Sequence, residues 1–469
     1  MVNKKSLLTL KKFLVYVKII SATYKRGENM ETVVLDLKNT SGKIKNMNSV
    51  NNGPFRSVRN FDTFDAFKAA RIPYARNHDA SFFSAYGGEF TVDVHRIFRD
   101  FSKDVNDPES YSFKSTDEYL KTIEAAGTKT FYRLGAAIEH YEKKGTYPPK
   151  DNLKWAQICE HIIRHYTEGW ADGFYMDIEY WEIWNEPDCG NPDGSNPCWQ
   201  GNQDQFIALF ETAFAHLKSH FPHLKIGGPA FAYLPGCRDY AKRLLTGLTE
   251  KNLMLDFFSY HTYACDTDWL TYNINFAKEL VDECGQSQAE LILNEWNYIK
   301  GWTGDDWKKS LATEKGLKGS SFVIACMATG QKLPVDMLMY YDARPCGMNG
   351  IFSTDTYECL KTYYSIAYFS NLLELGTYVP ETSTSGDIYT VAATNGNEHG
   401  ILLTNYNDTD VPTTEKIEVS FKGLGSGSYA KIYVLDAQND MTLLREEEIK
   451  DSKITLDIPL FTSYYISVK

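Results

Sequence analysis

The sequence contains no GxGxxG, no CxxC and no HExxH. Those absences remove, in turn, a dinucleotide-binding sheet, a zinc knuckle or dithiol redox pair, and a helical zinc-protease site. No acidic cation loop is present either, so neither a metal nor an organic cofactor is expected. No run is long and apolar enough to span a bilayer, and no unit of 20–50 residues recurs. Positive charge is scarce: Lys+Arg number 49 against 61 Asp+Glu, a net charge of −12. An acidic surface repels phosphate backbones, which argues against a nucleic-acid partner. Aromatic residues are plentiful at 14%, a density that suits stacking on flat or sugar-like ligands as well as large cores. With 43% hydrophobic residues the chain is globular rather than disordered.

Nine cysteines are scattered over the chain, an odd number with no metal-ligand spacing. Reduced thiols fit best, in a cytoplasmic protein. Cys189 and Cys198 flank one short loop, and their pairing stays an open alternative. Residues 1–29 make a poor secretory signal, because Lys18 interrupts the apolar stretch Phe13–Ile20. Met30 begins a cleaner run, METVVLDL, so 1–29 reads as an over-called start or a loose extension of uncertain role. The sequons at Asn39 and Asn407 read as chance matches.

From about residue 45 to 345 short β-rich runs alternate with long amphipathic ones. The runs Met47–Val50, Ile72–Arg76, Thr128–Leu134, Ile178–Trp184, Lys225–Gly228, Leu255–His261, Leu291–Asn294 and Val335–Tyr341 read as strands. Helices are expected over Thr116–Ala126 (capped by Ser115), Asn152–Gly169, Asp204–His220, Asp239–Leu248, Trp269–Cys284, Trp307–Thr329 and Tyr357–Leu375. Eight strands with intervening helices predict an α/β fold, a (β/α)₈ TIM barrel spanning 45–375. Beyond residue 376 the pattern changes to short alternating runs separated by turn clusters, among them Lys416–Phe421, Ala430–Asp436 and Ser463–Val468. This predicts a C-terminal antiparallel β-sandwich over 376–469, with residues 30–44 supplying one more strand to it.

Two segments carry the chemistry. WEIWNEPD (Trp181–Asp188) ends the fourth barrel strand, and Pro187 turns the chain outward so that Glu186 stands at the rim. AELILNEWNY (Ala289–Tyr298) ends the seventh strand on Asn294-Glu295. Active sites of this barrel form at the C-terminal strand ends. Two glutamates at that rim are what glycoside hydrolysis needs, one to protonate the leaving oxygen and one beside the anomeric carbon. The acid must keep its proton, so burial should raise the pKa of Glu186, whereas Glu295 must stay ionised and needs donors.

On these residues the chain resembles glycoside hydrolase family 39, within a clan of retaining (β/α)₈ glycosidases. WEIWNEPD is similar to the family's acid/base segment and ILNEWN to its nucleophile segment. The resemblance implies that Glu186 is the general acid/base, Glu295 the nucleophile, and the mechanism a double displacement with retention. It also implies that Asn185 bonds the sugar 2-hydroxyl, that His261 and Tyr263 form a strand-6 pair with the tyrosine on the nucleophile, and that His78 and Asp79 grip sugar hydroxyls. Arg76 is a further candidate beside them, and the turn Asn51–Pro54 faces the pocket or merely reverses the chain.

Where the clan usually has a tryptophan platform, this sequence offers Tyr341. Arg344 has two available partners, a substrate carboxylate such as a uronic acid's, or the adjacent Asp342. Trp199, Trp296 and Trp302 are stacking rings or core, and the loop Cys189–Gln200 is expected to wall the aglycone side. The expected partner is an oligosaccharide or glycoside, with no membrane and with homo-oligomerisation open. The reading is an exo-acting β-xylosidase on xylo-oligosaccharides. An iduronidase-like or arabinosidase-like specificity, or an inactive carbohydrate-binding barrel, are the alternatives.

Overall fold

The computed structural model describes residues 30–56, 62–79, 91–190 and 194–469. After β1 (Glu31–Asp36), eight parallel strands close a barrel: β2 (Asn46–Asn51), β3 (Tyr74–Arg76), β4 (Lys129–Leu134), β5 (Tyr180–Ile183), β6 (Lys225–Phe231), β7 (Phe257–Ala264), β8 (Glu290–Tyr298) and β9 (Met337–Tyr340). The last strand pairs back onto the first through Val50 and Tyr340. All eight sequence-predicted barrel strands form.

Side chains alternate across each strand, so every second residue enters the barrel. Tyr74, Phe131, Tyr180, Phe257, Ile292, Met337 and Met339 enclose an apolar floor. Two residues further along four of the same strands, the inward positions are Arg76, Arg133, Glu182 and Ser259, all buried. The interior thus changes from oil to charge as it approaches the C-terminal mouth. Each buried charge there requires a partner, and this dictates the site below.

Helices surround the barrel, and three of them start on a capping side chain. Asp151 accepts from Lys154 N at the start of Asn152–Thr167, and Asn202 with Gln205 forms a capping box before Gln203–His220. Three expectations need correction, one being the helix expected from Tyr357, which starts at Lys361. The helix expected from Thr116 starts at Lys114, with Phe113 rather than Ser115 at the cap position. The single helix expected over Trp307–Thr329 is two, Gly304–Thr313 and Leu317–Lys332. The break lies at Gly316, in extended backbone, and a Cβ on Gly319 would sit 2.4 Å from Thr313 O, so glycine allows the two helices to meet.

The remaining strands are β10 (Thr377–Val379), β11 (Glu381–Ser383), β12 (Ile388–Thr394), β13 (His399–Asn405), β14 (Lys416–Lys422), β15 (Tyr429–Leu435), β16 (Asp440–Glu448), β17 (Lys453–Asp457) and β18 (Ser463–Val468). They build a four-stranded sheet, β11-β1-β14-β17, and a six-stranded one, β10-β12-β13-β18-β15-β16. A second core containing Val33, Leu35, Ile401, Val419, Ile432 and Ile466 lies between them. The N-terminal strand does join the sandwich, parallel to β14 with Val33 opposite Val419.

The sandwich is tied to the barrel close to the mouth. Tyr298, last residue of β8, donates to Asp408 at 2.6 Å, and Tyr406 donates to the Cys265 carbonyl beyond β7 at 2.5 Å. No described helix is long and apolar enough to cross a membrane.

Candidate active site

β5 ends at Ile183, and the chain then leaves the barrel through two left-handed residues, Trp184 (φ 77°) and Glu186 (φ 48°). Such backbone costs about 1–3 kcal/mol per residue and persists only where neighbours hold it. They do: Trp184 N donates to Leu134 O at 2.8 Å and Glu186 N to Ala230 O at 3.0 Å. The buried Trp184 ring lies against Gly135, where a Cβ would come within 3.0 Å of it. Pro187 follows, and Glu186 is left pointing across the mouth.

On β8 the register slips by one residue: Tyr260 faces Leu293, but His261 faces Glu295. Asn294 is the extra residue of this bulge. A bulge re-aims side chains, and here the consecutive residues Asn294 and Glu295 both reach the barrel interior. Asn294 Nδ2 donates to Glu182, and Glu295 accepts from Arg76.

Arg76 is the hub. Its Nε donates to Glu182 Oε2 at 2.6 Å, Nη1 to Glu295 Oε1 at 2.8 Å and to Asn51 Oδ1 at 3.0 Å, and Nη2 to Asn185 Oδ1 at 2.6 Å. By binding the carbonyl end of Asn185, it turns that side chain's amide NH₂ the other way. Glu182 is also held by Ser259 Oγ at 2.6 Å. The second oxygen of Glu295, Oε2, accepts from the Tyr263 hydroxyl at 2.9 Å. Burial holds that phenol's pKa well above its usual value, so it remains a donor.

Glu186 Oε1 lies 2.8 Å from His261 Nδ1, which is itself 3.6 Å from Glu295 Oε2. One oxygen of each glutamate and the His261 nitrogen all fall within 4.8 Å of one another. Burial pushes both carboxyls up to about 7. Both carboxyls therefore change charge near neutrality. Glu295 has a guanidinium in direct contact and Glu186 has none, so the charge resides on Glu295 and the proton on Glu186. Burial also lowers the pKa of His261, keeping that imidazole neutral.

Most sequence-predicted site residues converge here. His78 is buried and neutral, its pKa held well below the usual value by burial and by Arg76 and Arg133. Its Nδ1 accepts from Arg133 Nε at 3.2 Å, so Nε2 carries the proton and faces Asp79 Oδ1 (3.5 Å) and Glu295 Oε1 (3.7 Å). Asp79 Oδ2 accepts from Tyr341 at 2.5 Å and from Arg344 Nη2 at 3.1 Å. Arg344 also binds Asp342 Oδ2 at 2.6 Å through the same nitrogen. It therefore pairs with its neighbour and with Asp79, and its charge is already matched inside the chain.

Asn51 and Asn52 are buried structural bonds, not a free turn: Asn51 Nδ2 donates to Asn294 O, and Asn52 Oδ1 accepts from Asp79 N. Trp296 is core, against Phe322 and Tyr340, and so is Trp199, edge-on to Trp184. Trp302 differs: it is 55% exposed, and its ring meets Tyr263 edge-to-face at 5.0 Å. Cys189 and Cys198 are both free.

Sequence reasoning overlooked Glu182 entirely and gave Arg76 too small a part. The signal was present, since Glu182 follows Tyr180 on the inward side of β5 and Arg76 follows Tyr74 on the inward side of β3. Oppositely charged residues at matching depth on inward files must pair.

Residues 74–297, which carry both glutamates, match the family model for glycosyl hydrolases family 39. A "Beta-xylosidase" of Geobacillus stearothermophilus is 26% identical over 179 residues, covering 36% of this chain and 33% of that protein. One of Caldicellulosiruptor saccharolyticus is 27% identical over 177 residues, with 34% and 33% covered. The match thus spans about a third of the length of these curated relatives. Among solved structures, a glucosidase of Croceicoccus marinus superposes with a TM-score of 0.76 at 20% identity, over 94% of this chain and 99% of that one. A monomeric beta-xylosidase of Caulobacter crescentus CB15 gives 0.69 at 15%, over 93% and 99%. At those identities the likeness is one of fold, and it extends through the sandwich. Through the part of its barrel that bears both glutamates, the chain is similar to glycosyl hydrolases family 39.

Proposed function

We propose that the protein is a retaining exo-glycosidase, a β-xylosidase that trims xylo-oligosaccharides by double displacement. One observation carries this reading: Glu186 Oε1 and Glu295 Oε2 converge on His261 Nδ1, at 2.8 and 3.6 Å, with one oxygen of each glutamate within 4.8 Å of the other. Retaining glycosidases set their carboxyls about 5–5.5 Å apart, and inverting ones about 6.5–9.5 Å, to admit a water.

In the first step Glu295 attacks the anomeric carbon while Glu186 delivers its proton to the leaving oxygen. Arg76 and Tyr263 hold Glu295 oriented and ionised. His78 Nε2–H and the Asn185 amide are the donors for sugar hydroxyls on the nucleophile side. Formation of the glycosyl ester removes the charge on Glu295. Glu186 then ionises more readily and, as a base, activates the water that releases the sugar.

The xylose specificity is supported by the named activity of the curated relatives. An acidic sugar is disfavoured because Arg344, the candidate carboxylate clamp, is already neutralised by Asp342 and Asp79. The deciding experiment is a panel of nitrophenyl glycosides with the product anomer followed by NMR. A β-anomer released first from the aryl β-xyloside supports the proposal. An α-anomer, or binding without turnover at high enzyme concentration, sinks it.

A further inference from the structure

Beside the carboxylate pair lie two sulfur donors that the proposed hydrolysis leaves unused. Cys198 Sγ is 3.8 Å from Glu186 Oε2. One oxygen of Glu186 and the sulfurs of Cys189 and Cys198 all fall within 4.8 Å of one another. The backbone enforces this meeting. Cys189 N donates to Glu186 O at 3.1 Å, closing a turn directly after the glutamate. Asn196 donates to Pro187 O at 3.0 Å and accepts from Cys198 N at 2.8 Å, and Trp184 Nε1 donates to Cys198 O at 3.0 Å. Both ends of the loop are thereby fastened to the segment that carries Glu186.

Two soft sulfurs and one carboxylate oxygen form the donor set of a thiophilic, tetrahedral cation. Zinc bonds of about 2.3 Å to sulfur and about 2.0–2.2 Å to oxygen, at a tetrahedral angle, place the two ligand atoms about 3.5 Å apart. The 3.8 Å separation found here meets that requirement after a small side-chain rotation. We propose that Cys189, Cys198 and Glu186 form a site for a thiophilic divalent cation such as Zn²⁺, and that occupying it silences the protein by claiming the proton donor. Binding exchanges the two thiol protons, and any proton on Glu186, for bonds to the metal, with solvent as the fourth ligand; no electron is transferred. The site itself is independent of the glycosidase reading, but the silencing rests on Glu186 being its acid.

Two other clusters among the described residues compete for such an ion, Glu186–His261–Glu295 in the mouth and Glu160–His216–His220 on the outer helices. The test therefore titrates Zn²⁺, and Cd²⁺ for its ultraviolet thiolate absorption, into reduced wild-type protein, Cys189→Ser, Cys198→Ser and His216→Ala. Bound metal is measured by equilibrium dialysis, and turnover is referenced to each variant's own metal-free rate. The expected result is one tight equivalent with the cadmium–thiolate band and lost turnover in the wild type and in His216→Ala. Each serine variant should bind at least roughly tenfold more weakly. Absence of the band, or equal affinity in the serine variants, overturns the site. Loss of binding in His216→Ala transfers the ion to the outer cluster and overturns it too. A band accompanied by full turnover overturns the silencing alone and counts against Glu186 as the acid.

Discussion

Arg76 donates to Glu295 at 2.8 Å with both side chains shut away from solvent, while its Nε holds Glu182 at 2.6 Å. One cation thus serves two anions. The charge on the proposed nucleophile is only partly compensated, which leaves it ionised yet reactive.

Glu182→Gln tests that division. It removes one anion and gives the guanidinium wholly to Glu295. Breaking a buried pair costs about 3–5 kcal/mol, and the pair left behind should hold the loss near the lower end. Thermal melts should show this destabilisation. With Arg76 undivided, Glu295 ionises at lower pH, so the acidic limb of kcat/KM moves down. Misplacing the hub should also cut kcat/KM on an aryl xyloside by about a hundredfold. A variant with wild-type stability and pH profile would remove Glu182 from the site.

The dependence on pH follows from burial, which pushes both glutamates up to about 7. Activity needs one proton on the pair, so kcat/KM should be bell-shaped and centred near neutrality. Below the optimum Glu295 is protonated and cannot attack; above it Glu186 is ionised and cannot protonate the leaving group. Stability carries the same sign. A carboxyl whose folded pKa is raised contributes most below its unfolded value of about 4.3, and that contribution is lost as pH rises toward 7. Glu186→Gln removes this loss. Its melting temperature should exceed the wild type's at pH 8, by an amount corresponding to roughly 4 kcal/mol at most, and match it at pH 4. An equal shift at both pH values would mean the effect is packing rather than charge.

The two glutamates should separate kinetically. Glu186→Ala removes the proton donor, so glycosylation should survive only for substrates whose leaving groups need none. An alkyl xyloside should lose about 10²–10⁴-fold, and a dinitrophenyl xyloside far less. Glu295→Ala should lose both steps, and azide should restore turnover by direct attack, with inverted product. Retention of near-normal rates on every substrate in both variants would dismiss the assignment.

The eight barrel strands were legible because each is a short apolar run closed by a turn signal, and the two NE pairs because each ends such a run. Periodicity worked less well where packing overrides it. Ser115 has the chemistry of a helix cap, but Phe113 occupies that place. β16, reading DMTLLREEE, went unseen because an edge strand exposes most of its residues and shows no buried alternation. Glu182 escaped because a charge between apolar neighbours reads as one face of an ordinary strand, and only barrel closure brings it to Arg76. The bulge at Asn294 has no sequence signature, although it is what turns two consecutive residues of β8 into the interior. Trp199, Trp296 and Trp302 are alike on paper. Their fates differ because two meet neighbouring rings inside the core and the third lies on the loop after β8.

Of these three tryptophans, Trp302 is the one left exposed. It is half exposed, lies edge-to-face with Tyr263 at 5.0 Å and is stacked on Trp307 at 5.6 Å. Tyr263 in turn donates to Glu295, so the indole is one ring removed from the proposed nucleophile. A sugar whose anomeric carbon sits at Glu295 would bring an apolar face within reach of this ring. Aromatic contacts of this kind contribute about 0.5–1.5 kcal/mol beyond buried area, or roughly two- to twelvefold in affinity. Trp302→Ala should therefore raise KM for xylobiose by that factor while kcat stays within about twofold, because the ring touches neither carboxylate. Trp302→Phe should recover most of the loss. A fall in kcat with KM unchanged would instead show that the ring acts by bracing Tyr263 against Glu295, and Tyr263→Phe should then reproduce that kcat defect.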